Sequence, residues 1–158
     1  MKLARTIQFD ISDQNIFERT AELDEWAISG AFEFSNWTTD NLTGKARQAF
    51  ANGWMGIESF GRSTLVAVTA ISEREYEDAI NRLSAHFVQV YGAPSLEAAR
   101  GPATEEINHM RQMCEDHEDN TLMVVERELV ETGVKESFRI IKPQDADLAQ
   151  IAVHADME

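Results

Sequence analysis

The sequence predicts an α+β fold, with a mostly antiparallel sheet of about five strands and two main helices packed on one face. Three observations lead to this prediction. Apolar residues alternate near the start of the chain, an apolar stripe recurs at three- and four-residue steps in its middle, and two β-branched runs flank a Glu-Thr-Gly turn near its end. Alternation and paired runs are typical of strands, whereas the stripe is typical of an amphipathic helix.

The first part of the chain favours extended structure. Alternation from Leu3 to Phe9 predicts a strand, and the polar stretch from Asp10 to Asn15 predicts a turn after it. Two further strands are predicted from short segments rich in aromatic and β-branched residues, NIFERTA and EWAISGAFEF. Gly30, inside the second segment, indicates a bulge or a close approach of two backbones.

The glycine-rich stretch that follows predicts a short helix, a loop and a strand. Thr43 is a suitable N-cap for a helix that continues to about Asn52, and Gly53 is expected to adopt the left-handed conformation after it. The apolar run from Ser63 to Ile71 predicts an internal strand covered on both faces.

Two longer helices are predicted in the middle of the chain. Ser72 and Glu75 have the spacing of a capping box, and the apolar stripe after them ends at Gly92. A second helix is expected from about Pro102 to His117, because proline is tolerated at the first helical position.

The sequence pattern in the last part of the chain predicts a β-hairpin followed by a tail. The segments TLMVVERELV and VKESFRII flank Glu131-Thr132-Gly133, where glycine supplies the positive φ of a tight turn. A length of 158 residues suits one domain. We therefore expect a single domain over residues 1–143 and an acidic C-terminal tail over 144–158, either frayed or docked as a short helix.

Charge and composition exclude several classes of function. The chain has 28 acidic and 14 basic residues, a formal charge of −14, which repels nucleic acids and anionic lipids. No apolar run approaches the roughly 20 residues of a membrane span, and the start lacks the apolar core of a signal peptide. A lone cysteine, Cys114, agrees with a reducing compartment, so a cytoplasmic location is predicted.

The first candidate site is an anion site around the glycine-rich stretch. Gly44-Lys45 is not part of a phosphate loop, because Thr39 and Ala46 stand where that motif needs glycine and a hydroxyl. Cations at a helix N-terminus are nevertheless unfavourable unless an anion lies there. The predicted ligand-binding residues are Gly44, Lys45, Arg47, Arg62 and Ser63. The alternative is that Lys45 and Arg47 are solvated or pair with the protein's own carboxylates.

The second candidate site is a metal site on the helix predicted over residues 102–117. On a helix, four possible ligands, Glu106, His109, Met113 and His117, lie on one side, and Met110 and Cys114 lie on the adjoining flank. The sulfur and imidazole ligands of this set favour zinc or copper. The predicted metal ligands are Glu106, His109, Cys114 and His117. One helix cannot close such a site, so His86, His154 or another subunit would have to contribute. The alternative is a core stripe through Ile107, Met110 and Cys114, with the histidines at its polar margin.

No reaction is indicated by the remaining side chains. Carboxylates next to Cys114 would raise the pKa of its thiol, which argues against a nucleophile. Aromatic residues concentrated in the first half either line a pocket or pack in the core: Trp26, Phe32, Phe34, Trp37, Trp54 and Phe60.

Four stretches carry a family resemblance: RTIQFD, EWAISGAF, GKARQAF and SFGRSTLV. Together they resemble a family of small, uncharacterised proteobacterial proteins, over nearly the whole chain. The resemblance implies a bacterial single-domain protein and no activity or catalytic residue.

The sequence therefore favours a non-catalytic cytoplasmic accessory or protein-interaction domain over an enzyme. Its expected partner is another protein or a second copy of the chain in a homodimer, with neither nucleic acid nor membrane, and no cofactor is expected. One alternative is a metal-binding or metal-delivery protein that uses zinc or copper on the helix 102–117. The other is a binder of a small anionic ligand at residues 44–63.

Overall fold

The computed structural model describes residues 1–7 and 17–141. In this part of the chain, seven strands form one antiparallel sheet that curls into a half-barrel, together with three α-helices. The α+β class is confirmed, but the prediction of about five strands is wrong. The strands that the sequence did not reveal, Trp54–Gly56 and Arg62–Ser63, contain three and two residues, too few to show an alternating pattern.

The sheet places the first strand of the chain near its centre. In chain order the strands are β1 (Lys2–Ile7), β2 (Trp26–Ile28), β3 (Trp54–Gly56), β4 (Arg62–Ser63), β5 (Leu65–Ala70), β6 (Leu122–Val130) and β7 (Gly133–Ile141). Their order in space is β4-β3-β2-β1-β5-β6-β7. β1 pairs with β2 on one side and along its whole length with β5 on the other.

The helices pack on this sheet in two groups. They are α1 (Gly44–Asn52), α2 (Glu73–Tyr91) and α3 (Leu96–Cys114), and two short 3-10 turns occupy Ala31–Phe34 and Thr39–Asn41. α2 packs against α3, α3 packs against β1 and β2, and α1 packs against β6. None of the helices in residues 1–7 and 17–141 combines the length and apolar composition needed to cross a bilayer.

Local signals in the sequence located several elements correctly. The Ser72 hydroxyl accepts the Glu75 N–H and the Glu75 carboxylate accepts the Ser72 N–H, so the capping box is present. Gly92 ends α2 with φ +74°. The hairpin of β6 and β7 is confirmed, with Gly133 at φ +129° after its turn. These signals act within a few residues, which is why the sequence alone revealed them.

α3 begins earlier than predicted. Its N-cap is Ser95, whose hydroxyl accepts the Ala98 N–H at 3.0 Å, and Pro102 lies inside the helix. The prediction of a start at Pro102 is wrong, because the Ser95 cap and the burial of Ala99 and Ala103 outweigh the backbone hydrogen bond that proline cannot donate. The helix also ends before His117.

The two strands predicted in NIFERTA and EWAISGAFEF are largely wrong. Within the described part of the first segment, the strand-like pairing is limited to a single parallel bridge between Thr20 and Arg62. The second contains only the three residues of β2, and Ala31–Phe34 forms a 3-10 turn. Aromatic residues pack equally well from a strand and from a 3-10 turn, so their presence in the sequence did not distinguish these two structures. Gly30 does lie at a close approach, but to side chains rather than to a second backbone, since a Cβ there would lie 2.6 Å from Met55 Cβ and 2.8 Å from a guanidinium nitrogen of Arg62.

The helix predicted over residues 44–52 is confirmed as α1, but its ends differ from expectation. Thr43 occupies the N-cap position without a side-chain hydrogen bond, and Gly53 has φ −94° rather than a left-handed conformation. Glycine is needed at position 53 for space, because a Cβ would lie 2.8 Å from the Ala49 carbonyl oxygen. The turn predicted at residues 10–15 and the tail at 144–158 lie outside the described residues.

Candidate functional site

The turn between β3 and β4 is held by the carboxylate of Glu25, which is 1% exposed. This carboxylate accepts hydrogen bonds from the N–H groups of Glu58 and Ser59 at 2.8 Å each and from the Ser59 hydroxyl at 2.7 Å. The Glu22 N–H also donates to it. Several donors aimed at one buried carboxylate compensate for its lost hydration. Glu25 therefore acts as the internal anchor of the turn.

Phe60 lies in this turn in a conformation that is rare for a bulky residue. Its φ is +58°, in the left-handed region. The next residue, Gly61, packs so closely that a Cβ would lie 2.6 Å from the Thr20 carbonyl carbon. The Phe60 ring stacks on His86 of α2, with ring centroids 3.7 Å apart and planes 5° from parallel. The backbone and the ring of Phe60 are thus both held in place.

Arg62, at the start of β4, is buried with both terminal nitrogens of its guanidinium engaged. One terminal nitrogen donates to the carbonyl oxygens of Ser29 and Gly53, both at 3.2 Å. The other donates to the Gly30 carbonyl oxygen at 3.0 Å and to the Glu33 carboxylate at 2.7 Å. Burial lowers the pKa of Arg62, and the ion pair with Glu33 opposes that effect.

A second buried arginine, Arg127 of β6, reaches some of the same carbonyl groups. It donates to the Ser29 oxygen at 2.6 Å and to the Phe50 and Gly53 oxygens at 2.9 Å. Its Nε donates to Glu136 of β7 at 2.7 Å. Burial lowers the pKa of Arg127 to about 10, so it stays charged at neutral pH.

Arg62 and Arg127, which we call the arginine cluster, tie the end of α1 to β2 and β6. Both guanidiniums also lie over the ring of Phe34, at 4.6 and 5.5 Å from its centroid. Carbonyl groups at a helix C-terminus carry partial negative charge and suit cationic donors. The cluster therefore replaces the long strand ladders that this part of the sheet lacks.

A pocket of about 450 Å³ opens beside the arginine cluster, between α1 and the second half of α2. We call it the aromatic pocket, because ring side chains form much of its wall: Phe17, Trp37, Phe60, His86 and Tyr91. Burial lowers the pKa of His86 and raises that of Tyr91, so both side chains are neutral at pH 7. Its volume lies in the range of small-molecule sites, roughly 300–1,000 Å³.

Charged side chains form the floor and rim of the aromatic pocket: Glu18, Arg19, Glu33, Lys45 and Arg62. Glu33 and Arg62 pair with each other. Arg19 donates to the Ser59 carbonyl oxygen, at 3.3 Å. Lys45 is exposed and makes no ion pair or hydrogen bond through its side chain within the described ranges 1–7 and 17–141. Cations outnumber carboxylates in the lining, whereas carboxylates outnumber cations two to one in the chain.

The structure brings together part of the predicted anion site. Lys45 and Arg62 line the same pocket, and Gly44 adjoins it at the start of α1 with φ +55°. Arg47 is exposed on α1 and is not part of the lining, and the Ser63 hydroxyl donates to the Ile7 and Leu65 carbonyl oxygens instead. The pocket is therefore built around Lys45 and Arg62, with the remaining three residues beside it.

The predicted metal ligands do not form a cluster in the described part of the chain. No group of three or more His, Cys, Asp or Glu side chains in residues 1–7 and 17–141 is placed to hold an ion. Glu106 and His109 face β7, where His109 Nε2 lies 3.6 Å from a Glu136 carboxylate oxygen. His117 lies beyond the end of α3, where its carbonyl oxygen accepts from Lys2 at 2.7 Å.

Cys114 belongs to the hydrophobic core. Its side chain is buried, and burial together with the nearby Glu115 carboxylate raises the pKa of the thiol to about 12. A thiol in this state is protonated at neutral pH, which argues against a nucleophilic role. The interpretation of Ile107, Met110 and Cys114 as a core stripe agrees with their complete burial.

Several residues of the site gave no local signal in the sequence. Arg127 and Glu136 look like ordinary charges in alternating strands, and Glu25 is one of several charged residues in the stretch from 18 to 25. Their hydrogen-bond partners lie far away in the chain, as with Arg127 and Ser29. His86 shares the apolar stripe of α2. Only Trp37 and Phe60 among the six aromatic residues proposed for a pocket or core line the pocket.

Fold and site together define a small α+β protein with a curled antiparallel sheet and an aromatic-lined pocket on its short-stranded half. The chain belongs to a family of unknown function (DUF6505), whose family model matches residues 1–158. The predicted membership of an uncharacterised family is thereby confirmed. No curated protein and no solved structure matches the chain.

Proposed function

We propose that this chain is a binding protein that holds a small organic anion in the aromatic pocket. The observation that carries the proposal is Lys45, a pocket-lining cation that makes no ion pair with any residue in 1–7 and 17–141, although Glu18 and Glu33 line the same pocket. In a chain of net charge −14, a cation at a pocket has many carboxylates available to it. A ligand anion is the counter-charge that best explains its position.

The neighbouring charges support an anionic ligand. Arg19 lies on the same rim without an ion pair to any described residue, and α1 begins at this side of the pocket with no acidic residue in its first turn. The N-terminal end of a helix carries partial positive charge. Arg62 adds a buried positive charge at the floor, although its donors are engaged in the fold. The ligand charge is therefore expected at Lys45 rather than at Arg62.

Binding is favoured over catalysis by the way the pocket groups are engaged. Arg62 and Glu33 hold the fold through each other, and His86 is stacked on Phe60. A general acid or base must be able to reach the proton that it transfers. These groups instead form fixed walls, which suits a protein that holds its ligand unchanged.

A cytoplasmic location is proposed on the charge of the chain and its lone cysteine.

The test is thermal unfolding of the untagged chain with a panel of carboxylates and phosphate-bearing compounds, followed by calorimetric titration of any hit. A ligand that binds only the folded state raises the unfolding temperature. We expect a hit whose affinity falls about tenfold in Lys45→Ala, because one charge-assisted contact is lost. Arg47→Ala is the matched control, since Arg47 lies on the same helix outside the pocket. No shift with any anion contradicts the proposal.

A protein partner is a second candidate function, favoured by an exposed apolar corner where α2 meets α3. Val90, Tyr91 and Leu96 are 62%, 45% and 59% exposed there. Exposed apolar groups of this kind mark contact surfaces for another protein or a second copy of the chain. Size-exclusion chromatography with light scattering, on the wild type and on Val90→Glu with Leu96→Glu, tests it. A complex or dimer that the double variant does not form is the expected result, and identical behaviour of both chains contradicts it.

Zinc or copper binding by the predicted ligands stays a prediction. Elemental analysis of the chain purified without chelators tests it, with the triple variant His109→Ala, Cys114→Ala and His117→Ala as the comparison. Stoichiometric metal lost in that variant would support the metal site, and a metal-free wild type would contradict it.

A further inference from the structure

We infer that the anion in the aromatic pocket carries a flat, unsaturated ring, and that this ring lies against the stacked pair of Phe60 and His86 while its charge faces Lys45. The ligand class is therefore a planar aromatic or heteroaromatic carboxylate or a related small anion. This inference rests on the proposed function and specifies its ligand.

The stacked pair forms a ready-made aromatic wall. The rings of Phe60 and His86 are nearly parallel, 3.7 Å apart, and both belong to the pocket lining. Both side chains are only partly buried, so each leaves some of its surface open to the cavity. Tyr91 supports His86 from the side, with centroids 5.6 Å apart and planes at 65°. Flat rings pack favourably on such surfaces by offset stacking or edge contacts.

The wall is fixed before any ligand arrives. Phe60 keeps a left-handed backbone that bulky residues avoid, and the turn is over-determined by the hydrogen bonds to the Glu25 carboxylate. Strained conformations of this kind persist where the surroundings hold them, and they concentrate at ligand-binding sites. Because this wall does not reorganise on binding, the free-energy cost of ordering the site is smaller. The fixed shape favours a rigid, flat ligand over a flexible chain.

The protonation state of His86 indicates that this side chain contacts the ring of the ligand and not its charge. Burial lowers its pKa, so His86 is neutral at pH 7 and offers an aromatic surface rather than a cation. Arg62 already donates to four oxygen atoms. Lys45, which has no partner among the described residues, is therefore the position for the ligand's charge. A ring against the stacked pair and a negative charge at Lys45 together describe an aromatic carboxylate.

The experiment compares probes that share a carboxylate and differ in the ring. Benzoate and 2-naphthoate are flat, whereas cyclohexanecarboxylate presents a puckered, saturated ring of similar size. Each is titrated into the full chain by calorimetry, with the tryptophan fluorescence, to which Trp37 at the pocket wall contributes, as a second readout. We expect benzoate to bind about threefold to tenfold more tightly than cyclohexanecarboxylate, and 2-naphthoate at least as tightly as benzoate.

Variants connect this preference to the wall. Phe60→Leu should remove most of the preference for benzoate while it still binds cyclohexanecarboxylate, a result that a merely unfolded variant cannot give. Phe138→Leu, on β7 outside the pocket, is the matched control and should keep the preference.

The outcomes separate this inference from the proposed function. Equal affinity for flat and puckered carboxylates, both lost in Lys45→Ala, overturns the ring inference and leaves the proposed function standing. A preference for benzoate that Phe60→Leu does not reduce also overturns the inference. If no carboxylate binds the wild type, the proposed function fails and the inference fails with it.

Discussion

The two halves of the sheet are built in different ways. β1 and β5 pair over six residues and β6 and β7 over nine, so this half consists of two long ladders, which are joined to each other by a two-residue pairing of β5 with β6. β2 pairs with β3, and β3 with β4, over only two residues each time. The backbone of that short-stranded half is hydrogen-bonded by three buried charged side chains: Glu25 and Arg62 from the same half, and Arg127 reaching across from β6.

The difference shows how a pocket can be placed on a small sheet. Long ladders leave few backbone groups free and produce a regular surface, whereas short strands connected by irregular turns leave room for a cavity. The charged side chains then satisfy the backbone groups that the missing ladders would have paired. The aromatic pocket lies on this half, and its Phe60 and Arg62 belong to the β3–β4 connection and β4.

The largest expected effect is the loss of Arg127. Arg127→Met leaves the Glu136 carboxylate without its buried cation and removes a donor from three carbonyl oxygens, of which those of Ser29 and Gly53 keep Arg62, so we expect the free energy of unfolding to fall by about 3–5 kcal/mol. Urea denaturation measures it. Arg139→Met is the control, because Arg139 is 70% exposed and makes a surface ion pair worth less than about 1 kcal/mol. Equal effects of the two changes would contradict a structural role for the arginine cluster.

A smaller loss of stability is expected when Glu25 is changed. Glu25→Gln replaces an acceptor oxygen by an NH₂ group that faces N–H donors, at a cost of about 2–3 kcal/mol. Glu128→Gln on the exposed side of β6 should change the free energy of unfolding by less than about 0.5 kcal/mol. If denaturant curves for the two variants coincide, Glu25 does not anchor the β3–β4 turn.

Glycine to alanine changes should act with opposite signs in two places. Gly61→Ala puts a Cβ 2.6 Å from the Thr20 backbone, so we expect a loss of about 1–2 kcal/mol. Gly101→Ala lies inside α3 with no atom within 4 Å, and it should stabilise the chain by about 0.5–1 kcal/mol. Calorimetric melting of both variants tests this, and a shift of the same sign for both would contradict it.

The smallest effect concerns pH. Burial lowers the pKa of His86 below 6.5 in the folded state, so the unfolded chain takes up a proton first as pH falls. The stability that neutral His86 contributes is thus present above pH 6.5 and is lost below it. The charges that influence His86 are Glu33, which opposes the shift, and Arg19, which adds to it.

His86→Phe keeps a ring in this position without the titration. The stability of the wild type relative to His86→Phe should fall between about pH 7.5 and about pH 5. Thermal unfolding of both chains across this range measures the difference, in which the titration of groups common to both cancels. A difference that does not change with pH would contradict the buried, neutral state of His86.

The long strands, α1 and both ends of α2 were predictable from the sequence, whereas the short strands of the pocket half and the start of α3 were not. The capping box at Ser72 and the turn before Gly133 act over a few residues, so their residue types reveal them. β4 has two residues and no pattern to detect. α3 was placed too late because Pro102 resembles a helix start, although Ser95 caps the helix about two turns earlier.

The same distinction applies to the site. Lys45 and Arg62 were predicted from their proximity in sequence to a helix start and a glycine-rich loop, and both line the pocket. Arg127 gave no such signal, because its partner groups on Ser29 and Gly53 are brought to it only by the tertiary fold. A single sequence shows which residue types are present, but it does not show which of them contact each other in the folded chain.

The position of β1 in the sheet also determines the order in which the fold can form. β6 and β7 are joined by a two-residue turn, and hairpins of this kind close in about 1–10 μs. Ile7 pairs with Leu65, so β1 stays without its long partner until β5 has left the ribosome. During synthesis the strand that ends up at the centre of the sheet therefore keeps one unpaired edge until β5 emerges, and an unpaired strand edge is a site for aggregation and for chaperone contact.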